Sequence, residues 1–136
     1  MRSNTQSVST KAVWAGRIIS ALPVLFLLMD SVMKLMKLAP VVEATVKLGY
    51  PAETIVPLGI ILLTCTVLYV VPRTSVLGAI LLTGYLGGAV ATHVRVGDPL
   101  FSHVLFPVYL GVMIWFGLYL RDNRAGEVVP LCRLSQ

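Results

Sequence analysis

Charges divide this 136-residue chain into uncharged stretches of nearly constant length. A bilayer core about 30 Å thick is crossed by roughly 20 apolar helical residues, and four stretches meet that measure. Residues 13–32 form the first, broken only by Arg17 near its start and Asp30 near its end. Residues 54–71, uncharged but containing Pro57, form the second. The third is the 21-residue interval between Arg73 and Arg95, and the fourth is the 21 residues from Leu100 to Leu120, closed by Arg121 and Asp122. The fold class is therefore all-α: an integral membrane four-helix bundle with spans at about 13–32, 54–71, 74–94 and 100–120.

Composition agrees. Asp, Glu, Lys and Arg make up 12 % of the chain, about half the usual share for a soluble domain, and the mean hydropathy is +0.85. Such a chain is neither disordered nor a water-soluble monomer. The net charge of +5 comes from basic residues set singly at the ends of apolar runs, which is the pattern of membrane anchoring and not of a nucleic-acid groove. Cys65 in mid-run and Cys132 in the tail cannot build a disulfide framework or a four-ligand zinc site, and both read as inert thiols.

Arg2 and Lys11 precede a run that is long and lacks a small-residue cleavage site, so the first span is expected to stay uncleaved. Four spans place both termini on one side. Arg2, Lys11, Arg73, Arg121, Arg124 and Arg133 fall on that side, against Lys34, Lys37, Lys47 and Arg95 on the other. The positive-inside rule then makes the termini cytoplasmic. Residues 1–12 and 123–136 read as cytoplasmic tails, poorly ordered before Thr10 and after Asn123, flanking a membrane domain at 13–122.

Val71–Ser75 and Arg95–Pro99 are tight turns, so spans two to four form successive antiparallel hairpins. The first connection is longer. Pro40 fits a first helical position and Gly49 a residue past the end, while Glu43 and Lys47 pair at i, i+4, which predicts a short interfacial helix over about 40–48. Span three carries two stripes of small residues, Ala79, Thr83, Gly87 and Ala91 beside Gly84, Gly88 and Thr92. Helices in lipid pack through such seams, so span three is expected at the centre of the bundle, with homodimerisation through it as the alternative.

Ionisable residues inside a membrane are costly and mark candidate sites. Asp30 and Lys34 end span one, His93 and Arg95 end span three, and Asp98 and His103 begin span four. All six fall at the outer end of the bundle and are candidate ligand-binding residues. Each also has a structural explanation: Asp98 before Pro99 suits a helix N-cap, Asp30 and Lys34 suit an ion pair, and Arg95 and Lys34 can reach the headgroups. No His-x-x-x-His or Glu-x-x-His spacing is present, so no metal site is expected. Tyr69, Tyr119 and Trp14 read as interfacial aromatics, and no nucleophile elbow, phosphate loop, haem-attachment motif or redox CxxC occurs.

Three stretches, Asp30-Ser-Val-Met-Lys-Leu35, Pro40 through Pro51, and Pro72 through Ala91-Thr-His-Val-Arg-Val-Gly-Asp-Pro-Leu-Phe-Ser-His103 to Gly111, resemble the DoxX-like family of bacterial membrane proteins. The resemblance spans about Trp14 to Asp122 and implies a four-helix membrane protein. Founding members of the family are described as the membrane subunit of a thiosulfate:quinone oxidoreductase, and others belong to membrane oxidoreductase assemblies. This chain departs from them in having no second soluble domain and no redox cysteine pair. The expected function is a scaffold or small accessory subunit of a membrane-associated, redox-linked assembly. The alternative is a protein that binds quinone or another lipophilic small molecule at the extracytoplasmic end, where an apolar cleft would take the tail and His93, His103 and Arg95 the carbonyls.

Overall fold

The computed structural model of the chain describes residues 9–128. Six helices follow one another: α1 (Thr10–Leu35), α2 (Ala39–Lys47), α3 (Ile55–Val70), α4 (Ser75–Val96), α5 (Phe106–Arg121) and α6 (Asn123–Val128). A single 3-10 turn, Ala52–Thr54, leads into α3, and a π-helical turn, Leu100–Val104, leads into α5. Four helical stretches are long and apolar enough to cross a membrane: Thr10–Leu35, Ala52–Val70, Ser75–Val96 and Leu100–Arg121. They match the four expected spans to within about three residues at each end, most of them running slightly longer, because uncharged length underestimates a helix whose end residues reach headgroup depth. The surface of the spans is apolar, with Leu25 65 % and Val112 61 % exposed, which suits side chains bathed in lipid.

The four spans form a ring in which α1 packs on α5 and α3, and α4 packs on α3 and α5, so that α1 and α4 face each other across the bundle. The most extensive packing belongs to α1, not to the third span as the small-residue stripes suggested. The reason lies in where the backbones meet. A Cβ added to Gly117 of α5 would stand 2.3 Å from Ser20 Oγ of α1, and one added to Gly16 would stand 2.7 Å from the Gly117 carbonyl. By contrast, a Cβ on Gly84, Gly87 or Gly88 of α4 meets nothing within 4 Å. The α4 stripe turns largely outward, with only Ala79 and Thr92 of its members buried.

Tyr69 departs from its expected interfacial place. It is fully buried, donates to the Ile114 carbonyl at 2.7 Å and lies 3.0 Å from Ser20 Oγ, joining α3 to α5 and α1. The Arg121 guanidinium sits 4.8 Å over its ring and reaches the Tyr69 carbonyl at 3.3 Å. Tyr69 lies one turn from a charged loop in the sequence, but its ring points inward, where the polar tip finds partners that lipid would not supply. Trp14 and Tyr119 do lie at the surface, 58 % and 41 % exposed, and Trp14 stacks with Arg17 at 5.3 Å.

The short helix α2 lies where Pro40 and Gly49 predicted it, with Gly49 at φ 87° just beyond its end. Glu43 and Lys47 are both exposed and are not among the ion pairs formed by the described residues. After α5 the chain does not become an irregular tail at once. α6 folds back with Ala125 1 % exposed in the core, and Asp122 and Arg124 tie it down. The Asp122 carboxylate accepts from the Arg124 backbone N–H at 3.0 Å and from its guanidinium at 2.8 and 3.1 Å, and lies 3.2 Å from Ser75 Oγ. Arg124 in turn donates to the Pro72 and Arg73 carbonyls of the α3–α4 turn. The expectation for residues 1–8 and 129–136, Cys132 included, falls outside the described residues.

Candidate functional site

The turn between α4 and α5 places three of the six predicted residues together. Gly97 ends α4 in the left-handed conformation at φ 76°, and the Asp98 N–H returns to the His93 carbonyl at 3.1 Å, so the chain folds back on the last helical turn. That reversal brings Asp98 Oδ2 to 2.6 Å from His93 Nδ1. Asp98 therefore does not cap the following helix as its place before Pro99 suggested. The π-helical turn, closed by Val104 N–H to Pro99 O and Leu105 N–H to Leu100 O, carries His103 to the same place, with its ring centre 5.9 Å from that of His93 at 60°. Ser102 Oγ lies 2.7 Å from His103 Nδ1. His93 and Asp98 are largely covered, their side chains 20 % and 30 % exposed.

The other three residues stand apart from this cluster in their bonding. Asp30 and Lys34 pair with each other along α1, with 28 % and 13 % of their side chains exposed, and Lys34 Cβ packs against the bare face of Gly59 on α3. Arg95, an exposed residue, donates to the Leu48 carbonyl at the end of α2. A second tie between this connection and α4 is the Tyr50 hydroxyl, 2.8 Å from Thr92 Oγ1. The six thus divide into a histidine–carboxylate cluster, an ion pair and an anchor for α2. Among the described residues, no three His, Cys, Asp or Glu side chains are grouped so that they could hold a metal ion.

Below the histidines lies a feature that the charges did not announce. A groove of about 740 Å³ runs between α4 and α5, lined by Leu86, Gly87, Val90, Pro107, Gly111 and Trp115 among others, and closed toward the chain termini by Tyr119 and Ala125. It exists because glycines face it: Gly87 presents no side chain, and a Cβ on Gly111 would only touch Leu86 at 3.8 Å. Trp115 Nε1 donates to Thr83 Oγ1 at 2.7 Å, and Thr83 donates to the Ala79 carbonyl. The polar groups of Trp115 and Thr83 are thereby satisfied within the protein, and most of the groove wall is hydrocarbon. At the far end, Val90 lies three residues before His93, one turn of α4, and Pro107 lies four residues after His103, across the junction of the π turn with α5. The pairing of Gly87 with Gly111, each set among large apolar residues on facing spans, was the available sequence signal for the groove.

Fold and site together define a multi-pass helical membrane protein with a histidine–carboxylate cluster at the α4–α5 turn and an apolar groove between the same two helices. The chain belongs to the DoxX-like family, whose profile matches residues 18–117, in agreement with the resemblance carried by the three motifs. No curated protein and no solved structure matches it.

Proposed function

We propose that this protein binds a lipophilic small molecule of the quinone type, with its ring at the His93–Asp98–His103 cluster and its tail in the α4–α5 groove. The observation that carries this reading is that the groove reaches Val90, one turn of α4 from His93. Measured along α5 from Pro107 to Tyr119, the groove is about 18 Å long, more than half of a bilayer core of about 30 Å. A tail of that length with a single polar head is matched by a groove that is apolar along its length and polar at one end. The charge balance of the loops supports cytoplasmic termini, with the cluster then on the outer side of an inner membrane. Any redox step would belong to an assembly in which this chain is the ligand-holding subunit.

Trp115 lines the groove, and Trp14 is the second of the two tryptophans, so a Trp14→Phe protein reports on the groove alone. Decyl-benzoquinone should quench its fluorescence saturably, and Gly87→Leu, which projects a side chain into the groove from a position where an added Cβ meets nothing within 4 Å, should abolish the saturable part. Quenching that rises linearly and equally in both proteins would be simple partition into the micelle and would refute the reading.

A second reading is favoured by the outward face of α4. Gly84 and Gly88 leave a flat strip beside the groove against which a partner helix could pack closely. This supports the scaffold or accessory-subunit role, or a homodimer through the third span.

A further inference from the structure

We infer that the head group preferred at the cluster is one that donates a hydrogen bond, a ring hydroxyl as in a hydroquinone or an alkylphenol, and that His93 Nε2 receives it. This rests on the groove reading above and narrows its ligand class. A carboxylate can only accept, so the 2.6 Å contact with Asp98 fixes the proton of a neutral His93 ring on Nδ1. The other nitrogen is then a bare acceptor. Among the described residues Nε2 has no partner, and the only buried side-chain nitrogen or oxygen left without one is Arg121 Nε, so Nε2 is open to a ligand. A quinone carbonyl brings only lone pairs to that atom, whereas a hydroxyl brings the proton it lacks.

His103 supplies the complementary half. With the Ser102 hydroxyl donating to Nδ1, its Nε2 carries the proton and can donate to the lone pair of the same ligand oxygen. With ring centres 5.9 Å apart, one ligand oxygen held between the rings would meet both histidines at about 2.8 Å where the two Nε2 atoms turn toward it. Asp98 acts through His93 as a positioning residue: without its carboxylate the His93 proton is free to move to Nε2, and the preference for a donor is lost.

Two measurements test this. Nitrogen-15 spectra of the histidines, in mildly alkaline detergent solution without ligand, should report His93 as the Nδ1–H tautomer, shifting to a mixture in Asp98→Ala. A His93 proton on Nε2 in the wild type would overturn the inference. In the Trp115 assay, decyl-hydroquinone should compete about tenfold better than its dimethyl ether, the ratio expected when a buried acceptor is left unpaired. His93→Ala should bring the two to equal affinity, and an unchanged thermal midpoint in detergent shows that the variant folds. Equal competition by both in the wild type would overturn the hydroxyl preference and leave the groove reading standing. Competition by neither, with no saturable quenching by the quinone, would remove the groove reading and this inference together.

Discussion

At the scale of single residues, stability in lipid depends on polar atoms more than on apolar area, because hydrocarbon outside the bundle is as welcoming as hydrocarbon within it. Tyr69 shows the consequence. Its hydroxyl holds the Ile114 carbonyl and meets Ser20 inside a fully buried site, so Tyr69→Phe removes the donor to Ile114 and the hydroxyl partner of Ser20. The expected loss is about 1–3 kcal/mol of unfolding free energy, measured by denaturation in mixed micelles, and an unchanged midpoint would mean that the Tyr69 contacts contribute nothing. The sequence placed Tyr69 correctly near a span end but not its orientation, since one turn of helix separates an interfacial ring from a buried one. Asp98 was ambiguous in the same way. Its place before Pro99 fits a cap, and only the left-handed Gly97 turn decides that its carboxylate goes back to His93 instead.

At the scale of elements, the legible features were those with a period or a punctuation mark. The spans followed from charge spacing, and α2 followed from Pro40 and Gly49. Helix α6 was missed because six residues containing Gly126 carry no helical signal of their own; it persists through Ala125 and the Asp122–Arg124 clasp. That clasp has a pH signature. Hydrogen bonds from the Arg124 side chain, with smaller contributions from its backbone N–H and from Ser75, hold the Asp122 carboxyl below its ordinary value against the opposing effect of burial. A carboxyl depressed in the folded state binds fewer protons there than in the unfolded chain, so stability rises with pH. The contribution is complete above the ordinary carboxylate range and is lost as the pH falls through the lower folded value. Hydrogen exchange in α6 should therefore be slower in the wild type than in Asp122→Asn at neutral pH, and the gap should close in acid. A gap that is constant with pH would show that the charge of Asp122 has no part in holding α6.

At the scale of the whole molecule, the sequence gives two kinds of glycine that look alike in a small-residue count and differ in three dimensions. Gly16 and Gly117 stand where α1 and α5 touch backbone to backbone, while Gly84 and Gly88 stand on the outside of α4. Small-residue spacing signals close approach but not what approaches, which is why the third span was expected at the centre and why a groove bounded by Gly87 and Gly111 stayed out of sight. The two kinds separate under substitution. Gly117→Leu must push α1 away from α5, because even a Cβ would meet Ser20 Oγ at 2.3 Å; overpacking of this sort costs about 1–3 kcal/mol or more. Gly84→Leu adds a side chain where nothing lies within 4 Å and removes a glycine from a helix interior, so the isolated bundle should unfold no more easily than the wild type. If a partner helix packs on that strip, the same Gly84→Leu protein should lose its crosslinks to that partner, or to a second copy of itself, in native membranes while keeping its thermal midpoint in detergent. Crosslinks that survive at wild-type yield would exclude the α4 strip as the contact and leave the groove and the histidine cluster as the features for which this bundle is built.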